Sequence, residues 1–229
     1  MHRRRIHGHV LGGAASLLLG GCALDPELVP APRATTVRGP GQGVQAVEQG
    51  VRVVAYTEAW VAELSTLPLV VTPILIRLEN RSAAPLAIRY EAFRLESPSR
   101  GPRGPIPPYR IDQVVTEPVL TPGYPLRGFE VAPYLSPFYP GLTPYAGTFG
   151  MTPGLYRTTF PRFVEVPLPT PAMLRLALPE GVLRPNGETS GFLYFPDVQT
   201  QGPARLVVKL ARADTGAELG RVTLPFLAR

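Results

Sequence analysis

The chain has 229 residues, of which 45% are hydrophobic and only 17% charged, and it carries a formal net charge of +6. Its three histidines and its single cysteine all lie within the first 22 residues, so everything after Cys22 lacks both imidazole and thiol. Imidazole is the usual base at neutral pH and the commonest zinc ligand, so a Ser-His-Asp triad, a Cys-His pair, a His/Cys metal site and a disulfide are all excluded beyond that point.

Residues 1–21 read as a secretory signal. Arg3, Arg4 and Arg5 form a basic start, and Val10 to Leu19 form an apolar run too short to span a bilayer. Leu19-Gly20-Gly21-Cys22 closes the segment with small residues. Those four residues resemble the bacterial lipobox. The resemblance implies cleavage between Gly21 and Cys22, a diacylglyceryl group on the Cys22 thiol and acylation of the freed amine. The implied partner is a membrane, held through covalent lipid on Cys22. Ala23 is non-acidic, which by the same resemblance implies the outer membrane, with the domain facing the periplasm. Loss of Arg3, Arg4 and Arg5 with the signal leaves 20 basic against 17 acidic side chains and no Lys/Arg run, so nucleic-acid binding is not expected.

Residues 22–50 are polar and rich in Pro and Gly (Pro26, Pro30, Pro32, Gly39, Pro40, Gly41, Gly43) and lack apolar periodicity. They read as a lipid anchor followed by a flexible tether, which could reach about 80 Å at ~3.1 Å per residue. The alternative is that part of the segment packs along the domain as an irregular first strand. From Val51 onward the pattern turns to β. Val51, Val53 and Ala55 alternate with Arg52 and Val54, and Ile74, Ile76 and Leu78 alternate with Arg77 and Glu79. Asn80-Arg81-Ser82 is a turn signal. A strand over Leu86 to Glu96 follows, with Leu86, Ile88 and Tyr90 on one face and Arg89 and Glu91 solvated. Its apolar phase slips by Phe93 and Leu95, which predicts a bulge near Glu91-Ala92.

Residues 98–169 hold more than half of the 29 prolines, together with 11 of the 19 aromatics. Proline at this density interrupts both helices and strand ladders, so the segment reads as a long insert. Either its aromatics pin the insert over one sheet, or some stay exposed as a contact surface for an envelope protein or a glycan, with Tyr134, Phe138, Tyr139 and Tyr145 as candidates. Pro171 to Leu178 predicts one short helix, with Pro171 in the first turn and Gly181 as a stop. Ser190 to Phe195 is a strand ended by Pro196. Leu206, Val208 and Leu210 form a final hairpin with Val222, Leu224 and Phe226 around Asp214-Thr215-Gly216.

Pro73 to Glu96, read as apolar strand, Asn-x-Ser turn, Pro-Leu, and a strand ending in Phe-x-Leu, resembles part of bacterial immunoglobulin-like lipoprotein domains and is similar to water-stress (WHy) domains. Arg184-Pro-Asn-Gly-Glu188 followed by Gly191-Phe-Leu-Tyr-Phe195 resembles a later turn and strand of those families. The resemblance implies a folded strand pair and no functional residue. The expected architecture is therefore all-β: an immunoglobulin-like β-sandwich over residues 51–229, with one short helix and the insert at 98–169. No Asp-x-Asp-x-Asp-Gly loop, phosphate loop or Ser-x-x-Lys occurs, so no metal, cofactor or catalytic residue is expected. The leading reading is a non-enzymatic binding or assembly module. A purely structural envelope protein is the alternative, and a carboxylate-dependent hydrolase stands behind both, since paired carboxylates can cleave glycosides.

Overall fold

A strand with every second residue apolar needs another layer to cover that face, and here the alternating strands cover one another. The computed structural model describes residues 27–62, 64–98, 101–118, 128–136, 142–147, 149, 163–198 and 201–229. In it, two five-stranded antiparallel sheets pack face to face. The first sheet has the order β1 (Leu28–Pro30), β14 (Glu218–Ala228), β13 (Gly202–Ala211), β7 (Phe93–Ser97), β8 (Gly101–Arg103). The second has the order β12 (Glu188–Pro196), β5 (Val71–Asn80), β4 (Val51–Tyr56), β3 (Gln42–Glu48), β2 (Thr36–Arg38). Two small pairings accompany them, β6 (Leu86–Ile88) with β11 (Gly181–Leu183) and β9 (Val114–Pro118) with β10 (Phe163–Pro167). Among the described residues, the all-β sandwich with one short helix is as expected from the sequence.

The alternation read from the sequence sets the main core. Ile74, Ile76 and Leu78 of β5 and Val51, Val53 and Ala55 of β4 meet Leu206, Val208, Leu224 and Phe226 from the first sheet. Arg77 and Lys209, one residue off this phase, point to solvent and pair with Glu188 and Glu218. The β13–β14 hairpin holds Leu206 opposite Leu224 and Val208 opposite Val222. At the end of β5 the predicted turn forms around Asn80, which is fully buried. Its amide donates to the carbonyls of Ala84 and Leu183 and its oxygen accepts from the Ser82 amide and hydroxyl, so no polar atom of the side chain is left unpaired.

Three expectations need correction. The segment expected as a flexible tether is folded from Leu28 on, with β1, β2 and β3 in the two sheets and Leu28, Val29 and Val44 buried. Its glycines are structural. A Cβ at Gly39 or Gly43 would lie 2.2 or 2.6 Å from the Tyr56 ring, so the backbone there must be bare for the ring to lie across it. β3 and β4 are joined by Gln49-Gly50, both at positive φ (49° and 77°), which is the two-residue hairpin turn matched to strand twist. Second, Leu86 to Glu96 is two strands in place of one bulged strand. Tyr90–Ala92 forms a 3-10 turn between β6 and β7, so the phase slip marks the chain changing sheets. Tyr90 is half-buried in that turn, its hydroxyl donating to the Leu178 carbonyl at 3.0 Å and its amide to Glu180 at 2.7 Å. Third, helix α1 (Pro171–Leu176) is shorter than expected, and Gly181 opens β11 instead of stopping a helix. Thr170 caps α1 by accepting from the Met173 amide at 3.2 Å. The helix stops because Ala177 bridges to Phe192 and the Leu178 amide donates to the Phe192 carbonyl.

Candidate functional site

The insert matters because it builds a third layer. β12 reads Gly191-Phe-Leu-Tyr-Phe195 with all five residues buried. Leu193 and Phe195 face the sandwich core, while Phe192 and Tyr194 face outward with Val54 and Tyr56. That outward face is covered by Leu64, Leu67, Ile111, Val115, Leu168 and Met173. Trp60 stands edge-on to Phe192 and Tyr194, at 5.1 and 6.0 Å between ring centres, and its indole N–H donates to the Leu64 carbonyl at 2.8 Å. The Tyr194 hydroxyl donates to the Met173 carbonyl at 3.0 Å, and burial holds its phenol well above the ordinary range. The layer also occupies the outer edge of β12, where the Ile106 amide donates to the Tyr194 carbonyl at 2.7 Å. A long edge strand is thereby closed to pairing with another chain.

One carboxylate pins the layer down. Glu117 of β9 is buried and accepts from the amides of Ser65 and Thr66 at 3.1 and 2.6 Å and from both of their hydroxyls. Desolvation pushes this carboxyl up, but the four hydrogen bonds outweigh it and hold the pKa below its ordinary 4.5. A depressed folded pKa means stability that is present above the unfolded value and lost as pH falls through the folded one. Glu117→Gln is therefore expected to lower stability at pH 7 by about 1.5–3 kcal/mol, the worth of hydrogen bonds to a charged group. In urea unfolding over a pH series, the gap to the wild type should narrow once the pH drops below about 4.5. A gap independent of pH would mean that the charge is not what holds Ser65 and Thr66.

The described aromatics of the insert are not what fastens it. The fastening residues are aliphatic (Ile106, Ile111, Val115 and Leu168), whereas Tyr109 is 71% exposed, Phe129 and Phe149 each 55% and Tyr145 44%. Of the four candidates from the sequence, Tyr145 is exposed and Tyr134 half-buried, with its ring 6.2 Å from that of Phe149. Phe138 and Tyr139 lie outside the described residues, as do Cys22 and the whole signal segment. Buried Val131 and Ala132 seat the 128–136 segment. The Val131 amide donates to the Thr143 carbonyl at 2.9 Å and the Tyr145 amide to the Val131 carbonyl at 2.8 Å, so the backbone bearing Tyr134 and Tyr145 is cross-tied. Tyr109, Phe129 and Phe149 are exposed rings outside the four candidates, and the Pro-Tyr step at Pro108-Tyr109 is the sequence signal that marks the first of them. Arg110 lies 6.0 Å over the Tyr109 ring.

The best-defined carboxylates are committed elsewhere. Glu79, at the buried end of β5, is paired with Arg52 at 2.9 Å, Arg81 at 3.3 Å and Arg77 at 3.5 Å. Glu58 is held above the ordinary carboxyl range chiefly by a hydrogen bond with Glu27, then by desolvation and the like charge of Glu27, with Arg229 opposing. Asp214 is pulled down to about 2 by its hydrogen bond from Arg212 at the tip of the last hairpin. No family model matches the chain, and no curated protein and no solved structure does either.

Proposed function

We propose that the protein is a periplasm-facing outer-membrane lipoprotein, anchored through Cys22, with an immunoglobulin-like sandwich whose insert presents an aromatic contact surface to an envelope protein or a glycan. It works by binding or assembly and carries out no reaction of its own. The observation that carries this reading is the exposure of Tyr109, Phe129, Tyr145 and Phe149 beside a backbone tied by its own hydrogen bonds. Tyrosine and phenylalanine supply large, stiff contact area at small entropic cost, which is what a binding surface uses. The support for the anchor is the basic start, the short apolar run and the Gly-Gly-Cys ending of the first 22 residues.

A double substitution tests the surface. Tyr145→Ala with Phe149→Ala is expected to abolish co-purification of the partner with the intact lipoprotein from membranes. Both side chains are exposed, at 44% and 55%, so each change should alter stability by no more than about 0.5 kcal/mol. Loss of several kcal/mol with partners retained would make these rings part of the packing and sink the binding reading.

A further inference from the structure

We propose that the outer face of the first sheet, at the end where β1 begins, is a lipid-contacting surface that rests on the phospholipid headgroups of the leaflet holding the Cys22 anchor. This inference depends on the lipoprotein reading and adds to it which face meets the bilayer and by what chemistry.

Reach is the first ground. Glu27 is five residues along the chain from Cys22, and an extended chain covers at most ~3.6 Å per residue, so Glu27 lies within about 18 Å of a lipidated cysteine. Glu27 is fixed in the fold. Its amide donates to the Arg229 carbonyl at 2.9 Å and its carbonyl accepts from the Arg229 amide at 3.1 Å, and Leu28 is in register with Ala228. The headgroup layer of one leaflet is itself about 5–7 Å deep. A domain on so short a lead cannot stand clear of the surface. It must turn some face toward it, and that face lies near Leu28.

What stands beside Leu28 is the second ground. Leu28, Ala228 and Gly202 share one register line at an end of the sheet. On the outer face at that end is an open groove of about 750 Å³, lined chiefly by Ala31, Pro98, Pro102, Pro203 and Pro225, with the Arg205–Glu96 ion pair at 2.6 Å along one side. Its Arg205–Pro225 row is only three residues from the Leu28 line, about 10 Å at the rise of a strand. Prolines offer apolar rings and no N–H donors, which suits contact at the boundary between headgroups and acyl chains.

Charge is the third ground. Beyond the groove the same face carries Arg94, Lys209 and Arg221 as well as Arg205, against Glu96 and Glu218, and Arg205, Lys209 and Arg221 are each more than half exposed. An excess of cations next to an apolar groove complements the phosphates of an anionic leaflet. The layer built on Phe192 and Tyr194, with Tyr109 at its rim, is on the opposite side of the molecule. Contact through the first sheet therefore turns that layer away from the membrane, toward a periplasmic partner.

In the lipidated protein the Cys22 sulfur is a thioether, so one introduced cysteine takes one fluorophore. Thr223→Cys places it on the outer face of the first sheet and Val114→Cys on the opposite layer, both at exposed positions. The full-length lipidated variants are reconstituted in phosphatidylethanolamine–phosphatidylglycerol vesicles that contain lipid with a nitroxide on its headgroup. Flotation is read first, then quenching. The expected result is a label at Thr223 quenched several-fold more than one at Val114. Equal quenching at both positions, or stronger quenching at Val114, on protein that floats with the vesicles overturns the proposed face and leaves the anchor standing. Protein that does not float overturns the anchor, and this inference with it.

Discussion

Cys22→Ser is expected to shift the protein wholly out of the mature membrane-bound form, leaving it uncleaved or soluble. No other single substitution should change its distribution as much. Each buried methylene contributes ~0.8 kcal/mol, so one acyl chain holds a protein only marginally, whereas the two or three chains of a lipoprotein hold it permanently. Nothing else described in the chain offers a substitute. Among the described residues no helix is long and apolar enough to cross a membrane. The most apolar stretch, Leu64 to Leu78, is interrupted by Pro68, Pro73 and Arg77, and it spends Leu67, Ile74, Ile76 and Leu78 on the two cores. Membrane fractionation with a density gradient reads the outcome and also separates outer from inner membrane. A Cys22→Ser protein recovered processed and membrane-bound like the wild type would mean that the lipobox resemblance misleads.

What was legible in the sequence follows a physical rule. Period two survives where a strand has one apolar and one wet face: β13 and β14 show it because Lys209 and Arg221 mark the wet side, and β5 shows it only around exposed Arg77. The outer layer was illegible for the same reason. Covering both faces of the second sheet makes Val53-Val-Ala-Tyr56 and Gly191-Phe-Leu-Tyr-Phe195 continuously buried, and a continuous apolar run carries no sign of which residue faces which neighbour. Strands β2 and β3 read as part of a tether because Gly39 and Gly43 look like spacers until the Tyr56 ring is seen to need the room, and Gly41 until the Thr57 carbonyl is seen against it. The β3–β4 turn, Gln49-Gly50, is also a weaker hairpin signal than Asn-Gly. As for the candidate surface, aromatic composition marked residues 98–169 as the unusual segment. It could not separate the exposed rings from aliphatic fasteners such as Ile111 and Val115, because that distinction depends on long-range packing against Trp60 and Tyr194.

Tyr194→Ala is expected to be the most destabilising change in the outer layer, at about 3–5 kcal/mol for the lost ring. Tyr194 is fully buried and joins three elements: its ring packs by Trp60 and Phe192, its hydroxyl ties α1 through the Met173 carbonyl, and its own carbonyl holds the insert through Ile106. Natural domains are stable by only about 5–15 kcal/mol, so this one ring accounts for a large share of the margin. Tyr194→Phe keeps the ring and strands the Met173 carbonyl, and should cost a smaller 1–3 kcal/mol or so, the penalty of one unpaired buried group. Phe195→Ala, the next residue but on the sandwich side, should cost about as much as Tyr194→Ala because its core is equally closed. Two probes of urea unfolding decide whether the layers act together. Trp60, the only tryptophan, reports the outer layer by fluorescence, and far-ultraviolet circular dichroism reports the two sheets. Coincident transitions are expected in the wild type and in both alanine variants, since each layer buries a face of the same second sheet. If Tyr194→Ala instead melts the Trp60 signal early and leaves the sheet transition in place, the outer layer is a separable cover and does not fold as one unit with the two sheets.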